Sequence, residues 1–316
     1  MSLSEHVRIL GRGPGRSRSL TQTEAYDAMQ LMLADGTSPE AVGALLMLLR
    51  MKGETADEIA GLASSAQVGN GALAHVDLDW PSYAAGRTRG AAWFLLSAKL
   101  VAQAGHRVLL HGWNGADTKV RAGLFQAGIG SATDLEDAAR LLDRDGIAYL
   151  PLEKVYPALF RLLNLREVLG LRSCVNTVCR MLNPGAASAS VQGVFHPSYR
   201  LLQADAAALL GWKNLSVIKG GGGEFERHPS KEIAAFGLRE GVAWEGVVPA
   251  TTQDPRRLSS TQDASLLAAW EHTEVGAFEV EIVVGTAALA LDTLGVRDSR
   301  SAALAQWDAR RPAKVA

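Results

Sequence analysis

Cysteine is nearly absent from these 316 residues: there are two, Cys174 and Cys179. Two thiols make no disulfide framework, and their spacing within a helical-looking segment matches no zinc pattern, so they read as buried, reduced thiols. Long apolar runs are missing too. Nowhere do about 18 apolar residues follow one another, and the opening MSLSEHVRILGRG has no apolar stretch of the kind that directs secretion. Such a chain is expected in the cytoplasm. An excess of charge of one sign is also lacking. Lys+Arg 32 against Asp+Glu 33 leave a net charge of −1, so any case for a polyanionic partner rests on local clusters. No internal repeat or low-complexity tract appears.

What is present is 47% hydrophobic and 21% charged sequence, enough for one large core or two smaller ones in a soluble globular protein. The first 75 or so residues read as consecutive helices. Thr21 with Glu24, and Thr55 with Glu58, have capping-box spacing, while Ser38-Pro39-Glu40 supplies an N-cap, a first-turn proline and an early acid. Tyr26, Met29 and Leu33 share one predicted helix face, and Val42, Leu45, Leu46 and Leu49 another. Helices this close together form an antiparallel bundle.

After Asp79 the texture changes. Short apolar runs, RVLLHG (107–112), IAYL (147–150), VQGVF (191–195) and LSVIKG (215–220), alternate with helical stretches such as AAWFLLSAKLVAQAG and PSYRLLQADAAALLG. Strands separated by helices of this length imply a mostly parallel sheet covered on both faces. A helical stretch at 156–182 lies between the second and third of these runs, and residues 295–311 read as a closing helical pair. Residues 250–263 read as a polar connecting loop.

Several of these segments resemble the anthranilate phosphoribosyltransferases, members of glycosyltransferase family 3, which also includes the pyrimidine nucleoside phosphorylases. The likeness is carried by LLRMKGETADEIAGL (48–62), HGWN, LGLRSCVNTVCRMLNPG, GVFHPSY and the strand before the four glycines. It implies a discontinuous helical domain, residues 1–78 and 156–182, and an α/β domain, residues 79–155 and 183–316, with a site in the cleft between them. The motifs that carry the family's chemistry are altered. Where the transferases place GTGGD to hold a pyrophosphate on bare backbone, this chain reads SYAAGRTRG, keeping only Gly86 nearby. KHGNR becomes LHGWN, retaining His111 and Gly112. Of the Asp-Glu pair that coordinates magnesium, Glu226 falls on the glutamate and Phe225 on the aspartate; Glu224, shifted by one from the aspartate position, would face the opposite side of an extended strand. Arg172 falls on the arginine that meets the aromatic acid. Gly86, His111, Gly112, Gly220 and Gly221 are therefore candidates for a remnant phosphate site, Arg172 for a remnant acceptor site, and Glu224 and Glu226 for a magnesium site, with no cofactor expected unless the chain is a transferase.

Kept scaffold with an eroded phosphate loop is similar to the YbiB-type paralogue branch of the family. That resemblance implies a homodimer that binds nucleic acid with low sequence specificity. The charges agree with it. Between 81 and 107 there are four cations and no acids, and the N-terminal arm and the 154–180 segment are also cation-rich. Arg12, Arg16, Arg18, Arg87, Arg89, Arg161, Arg166, Arg172 and Lys219 are the candidate phosphate contacts, and Tyr83, Trp113 or Tyr199 would stack on bases if accessible. Solvated faces are the plainer explanation of such clusters, and Trp93 reads as core. The alternative function is a pentosyl or phosphoribosyl transferase with altered donor and acceptor. The run GGGG (220–223) reads either as a loop after a strand or as an anion cradle; it is no Walker loop, because Lys219 precedes the glycines and no Ser/Thr closes it.

Overall fold

A computed structural model describes residues 2–67, 73, 75–84, 90–114, 118–255, 265–271 and 275–310. Four helices come first: α1 (Leu3–Gly11), α2 (Gln22–Leu33), α3 (Pro39–Lys52) and α4 (Ala56–Ala66). Their starts are where the caps predict. Thr21 and Thr55 each accept from the third residue of the helix, whose glutamate reaches back, and Ser38 accepts from Ala41 N. The Glu58 carboxylate is fully buried yet well supplied, taking Leu20 N, Thr55 N and Lys52 Nζ at 2.8–2.9 Å. The buried face of α2 is Ala25, Ala28, Met29 and Met32; Tyr26 is exposed, so the apolar stripe is rotated by one position from the expected one.

Among the described residues seven strands form one sheet, in the order β3-β2-β1-β4-β5-β6-β7. They are β1 (Leu78–Ser82), β2 (Val108–Gly112), β3 (Ile147–Pro151), β4 (Ala189–Val194), β5 (Asn214–Lys219), β6 (Ile233–Arg239) and β7 (Val242–Val248). The first five run parallel; β6 and β7 add an antiparallel hairpin. Its turn, Glu240-Gly241, has both residues at positive φ, 52° and 82°, the two-residue geometry that matches strand twist.

Around the sheet lie α5 (Phe94–Gln103), α6 (Thr118–Ala127), α7 (Leu135–Asp145), α8 (Leu152–Val155), α9 (Pro157–Leu169), α10 (Val175–Arg180), α11 (Tyr199–Leu209), α12 (Leu266–Trp270), α13 (Ala277–Thr293) and α14 (Ser299–Asp308). One core joins the sheet to α5 and α13, with Trp80, Trp93, Phe94 and Phe225 at its centre. A second unites the N-terminal helices with α9, α10 and α11, so Leu159, Leu162 and Leu163 share a cluster with Met29 and Leu46. The closing pair is α13 and α14, turning at Gly295, rather than two helices within 295–311. No helix among the described residues is long and apolar enough to cross a membrane.

Arg18, a candidate phosphate contact, is engaged locally: both its Nη atoms reach the Glu24 carboxylate at 2.7 Å. That guanidinium, followed by the cap hydrogen bonds, holds Glu24 down at about 2. A carboxylate whose folded value is depressed stabilises above its unfolded value, near 4.5, and loses that contribution as pH falls toward 2. Glu24→Gln is therefore expected to lower stability near neutral pH, where the ion pair is intact, and to cost progressively less as pH falls toward 2, so that the loss of stability on the acid side is flattened. Urea titrations at about pH 6 and about pH 3 measure this.

Candidate functional site

Chain direction across the sheet reverses between β1 and β4, since β1, β2 and β3 step one way and β4 and β5 the other. Crevices outside the carboxyl ends of strands at such a reversal are where open α/β sheets hold ligands. The residues that leave β1, β2, β4 and β5 there are Tyr83-Ala84, Trp113-Asn114, Phe195-His196 and Gly220–Gly223.

The four glycines are accounted for by backbone packing. A Cβ at Gly220 would stand 1.7 Å from Glu224 O, and Gly222 and Gly223 adopt φ of 66° and 88°. This tight curl replaces the extended strand that the sequence suggests, so Glu224 and Glu226 both turn inward. Glu224 Oε1 accepts from Ser82 Oγ at 3.0 Å and Ala84 N at 3.1 Å, with Asn114 Nδ2 at 3.4 Å. Glu226 Oε2 accepts Phe94 N at 2.9 Å, at the start of α5, where a carboxylate also meets the positive end of the helix. Between them Phe225 packs edge-on to Trp80, centroids 5.5 Å apart. Both acids are 1% exposed or less. Magnesium requires carboxylate oxygens open to water or to substrate phosphates. The residues present do not fit that ion.

The phosphate-loop position is filled as well. Tyr83 is 1% exposed and its hydroxyl lies 2.9 Å from His111 Nδ1. His111 Nε2 is 3.0 Å from Asp79 Oδ1, though out of line for a hydrogen bond, and Ser190 Oγ donates to Asp79 Oδ2 at 2.7 Å. Burial keeps the Tyr83 hydroxyl protonated well above its ordinary range. The same cause raises both cysteine thiols, so neither is a ready nucleophile. Tyr83 is thus a buried strut and not a stacking platform. Gly112 serves the same packing, since a Cβ there would meet Ser82 O at 1.9 Å.

An open cavity of about 250 Å³ remains beside this filled region. It is lined from α3 by Arg50, from the α9–α10 turn by Gly170–Ser173, from α10 by Asn176, Thr177 and Arg180, and from the β4–α11 side by Val194–His196, Tyr199 and Gln203. Arg50 Nη1 donates to Arg172 O at 2.6 Å, tying the turn to α3. Burial, then the nearby Arg166, lowers the Arg172 guanidinium from its ordinary value. The Tyr199 hydroxyl donates to Glu54 at 3.2 Å and is raised to about 12 by burial and that carboxylate. Phe195 is 62% exposed at the rim. The lining among the described residues carries three guanidiniums, one imidazole and no carboxylate, which suits an anion with an apolar or aromatic body.

The remaining candidates are scattered. Arg12 and Arg16 are exposed on the arm after α1, Lys219 is exposed at the end of β5, and Arg161 reaches Asp35 at 3.4 Å. Arg166 stacks over Trp113, 4.4 Å from its centroid, so that ring's face is already occupied. Gly86, Arg87 and Arg89 lie outside the described residues. Sequence reasoning passed over Arg50 and counted Arg180 only as part of a charge cluster. Nothing in the spacing places Arg50, on α3, opposite residues more than a hundred positions later.

Residues 5–67 match the model of the glycosyl transferase family helical bundle domain. The anthranilate phosphoribosyltransferase of Pyrobaculum aerophilum is 30% identical over 270 residues, 82% of this chain and 80% of that protein. That of Roseiflexus castenholzii is 32% identical over 66% of this chain, the match spanning 62% of the relative's own length. Among solved structures, the Thermus thermophilus anthranilate phosphoribosyltransferase superposes with a TM-score of 0.79, covering 98% of this chain and 94% of its own, at 22% identity. The Saccharomyces cerevisiae enzyme, solved in complex with PRPP and Mg, gives 0.75 at 16% identity, covering 98% of this chain and 93% of its own. With a helical bundle set against a mostly parallel sheet, and this degree of identity over most of a relative's length, the chain belongs to the anthranilate phosphoribosyltransferase family.

Proposed function

We propose that this chain is a phosphoribosyltransferase-type protein that works through its acceptor side, holding an anionic aromatic ligand in the arginine-lined cavity, with a donor site unlike that of its relatives. The observation that carries this reading is the cavity itself, where Arg172 stands beside Arg50 and Arg180 with no acid in the lining among the described residues. The relatives named above are all anthranilate phosphoribosyltransferases, and they support a transferase-type reading over nucleic-acid binding. Because Glu224 and Glu226 are committed to Ser82, Ala84 and Phe94, no step is assigned to a metal. The work left to the chain is to bind and orient: guanidiniums fix the anionic group, and the rim aromatics cover the body of the ligand.

Anthranilate is the natural first probe. Saturable binding is expected, weakened about tenfold or more in Arg172→Ala, as removal of a charge-assisted contact implies. Calorimetric titration checks this, and the absence of any binding by the wild-type protein would sink the reading.

A second reading, non-specific nucleic-acid binding, is favoured by one observation. Arg12, Arg16 and Lys219 are exposed and take part in no ion pair among the described residues. Retention of labelled DNA that falls steeply with salt would support it, with affinity dropping linearly in log salt. Homodimerisation belongs to this reading as a proposal, checked by sedimentation.

A further inference from the structure

Arg180 is the feature that the family resemblance leaves unused. It is 6% exposed at the end of α10 and lines the cavity. Its Nε donates to Gly193 O at 3.1 Å, and its Nη1 donates to Asn176 O at 2.9 Å and to Asn176 Oδ1. Nη2 makes no hydrogen bond with the described residues, and no ion pair among them involves Arg180. Carbonyl groups from two elements therefore clamp one side of the guanidinium and leave the other toward the cavity. Burying a guanidinium without a carboxylate is costly unless something else supplies the negative charge. The nearest influence of that kind is Glu224, felt through space and already engaged with Ser82 and Ala84.

One guanidinium is enough for a monocarboxylate; this cavity offers three, with His196 beside them. We propose that Arg180 is a second anion-binding residue and that, with Arg172 and Arg50, it selects a phosphomonoester on an aromatic body over a monocarboxylate. The inference rests on the anion-site reading given above and adds the class of ligand. A phosphomonoester carries close to two charges at neutral pH and three acceptor oxygens, matching fork-shaped donors converging from α3, the α9–α10 turn and α10. The exposed Phe195 and half-buried Tyr199 offer faces for the aromatic part. A small phosphorylated molecule and the 5′-phosphate of a nucleic-acid strand share this chemistry.

The test titrates phenyl phosphate and benzoate into the full chain. Near pH 7.5 phenyl phosphate is expected to bind about tenfold or more tighter, and the ratio should shrink as its second ionisation, near pH 6, is reversed. Arg50, Arg172, His196 and Tyr199 face the ligand too and act on both probes, so the ratio is the readout. Arg180→Gln should bring the ratio close to one while benzoate still binds, and Arg180→Lys should keep part of it. A protein that only needs Arg180 for packing would lose both ligands together. A 5′-phosphorylated oligothymidine compared with its hydroxyl-ended twin separates the two sources: preference for the phosphorylated strand assigns the site to strand ends, and equal binding assigns it to small molecules. Equal affinity for phenyl phosphate and benzoate would overturn the inference and leave the anion site standing. Binding of neither would overturn both, and because the wild-type ratio and its pH profile need no variant, a misfolded Arg180→Gln does not protect the idea.

Discussion

Gly220→Ala is expected to abolish folding or to lower stability by more than about 3 kcal/mol. The added methyl would stand 1.7 Å from Glu224 O and 2.9 Å from Glu224 C, and these are backbone atoms that cannot swing aside. Moving them would pull the Glu224 carboxylate off Ser82 and Ala84 and drag Phe225 out of the core against Trp80. Gly222→Ala is the control within the same run. That position is exposed with φ 66°, so its cost is the left-handed backbone alone, about 1–2 kcal/mol. Thermal and urea melts of the two variants distinguish a packing role from an anion cradle, for which both glycines would matter to binding and neither greatly to folding.

Glu226→Ala is expected to cost about 3 kcal/mol. The carboxylate is buried, accepts Phe94 N at 2.9 Å and shields the first turn of α5. Truncation leaves that N–H unmet and opens a void beside Gly221, where Glu226 Oε1 lies within 2.9 Å of a would-be Cβ. Glu226→Gln keeps an acceptor for Phe94 N and is expected to lose only about 1 kcal/mol. Denaturant melts with and without magnesium measure both. A group that served a metal would show the opposite order of effects: Glu226→Ala would hold its stability without magnesium, and only the wild type would gain from the ion.

Much of the fold could be read directly from the chain, and what escaped has physical causes. The caps at Thr21, Ser38 and Thr55 are local devices, readable because the partners lie three residues apart. Strand β1 was hidden by its length and by Pro81. The β1–β4 pairing ends at Asp79↔Ser190, so Pro81 falls past it, where the missing N–H breaks no ladder bond to β4. The β6–β7 hairpin alternates in burial, but its Glu240-Gly241 turn lacks the Asn-Gly or Asp-Gly signature. Helix α13 is apolar nearly all round and buried on most faces, which removes the stripe that marks a surface helix.

The site was legible only in part, because its contacts are long-range. That the glycines, and Glu224 with Glu226, had departed from the family pattern was visible at once. That Glu224 reaches back 142 positions to Ser82, and Glu226 reaches 132 to Phe94, was not. Strand alternation misplaced Glu224 because the chain curls at Gly222 instead of continuing as β5. Arg172 was readable from LGLRS; the cavity it shares with Arg50 needs α3 and the α9–α10 turn packed together, which only tertiary structure supplies.

The most direct test of the central claim, that the acids serve the fold while the arginine cavity binds the ligand, is a calorimetric titration of anthranilate with and without magnesium, repeated in the presence of phosphoribosyl pyrophosphate. The account predicts saturable one-to-one binding that is the same with magnesium and with chelator. Binding that appears only when magnesium and phosphoribosyl pyrophosphate are both present would contradict it and return Glu224 and Glu226 to a metal site.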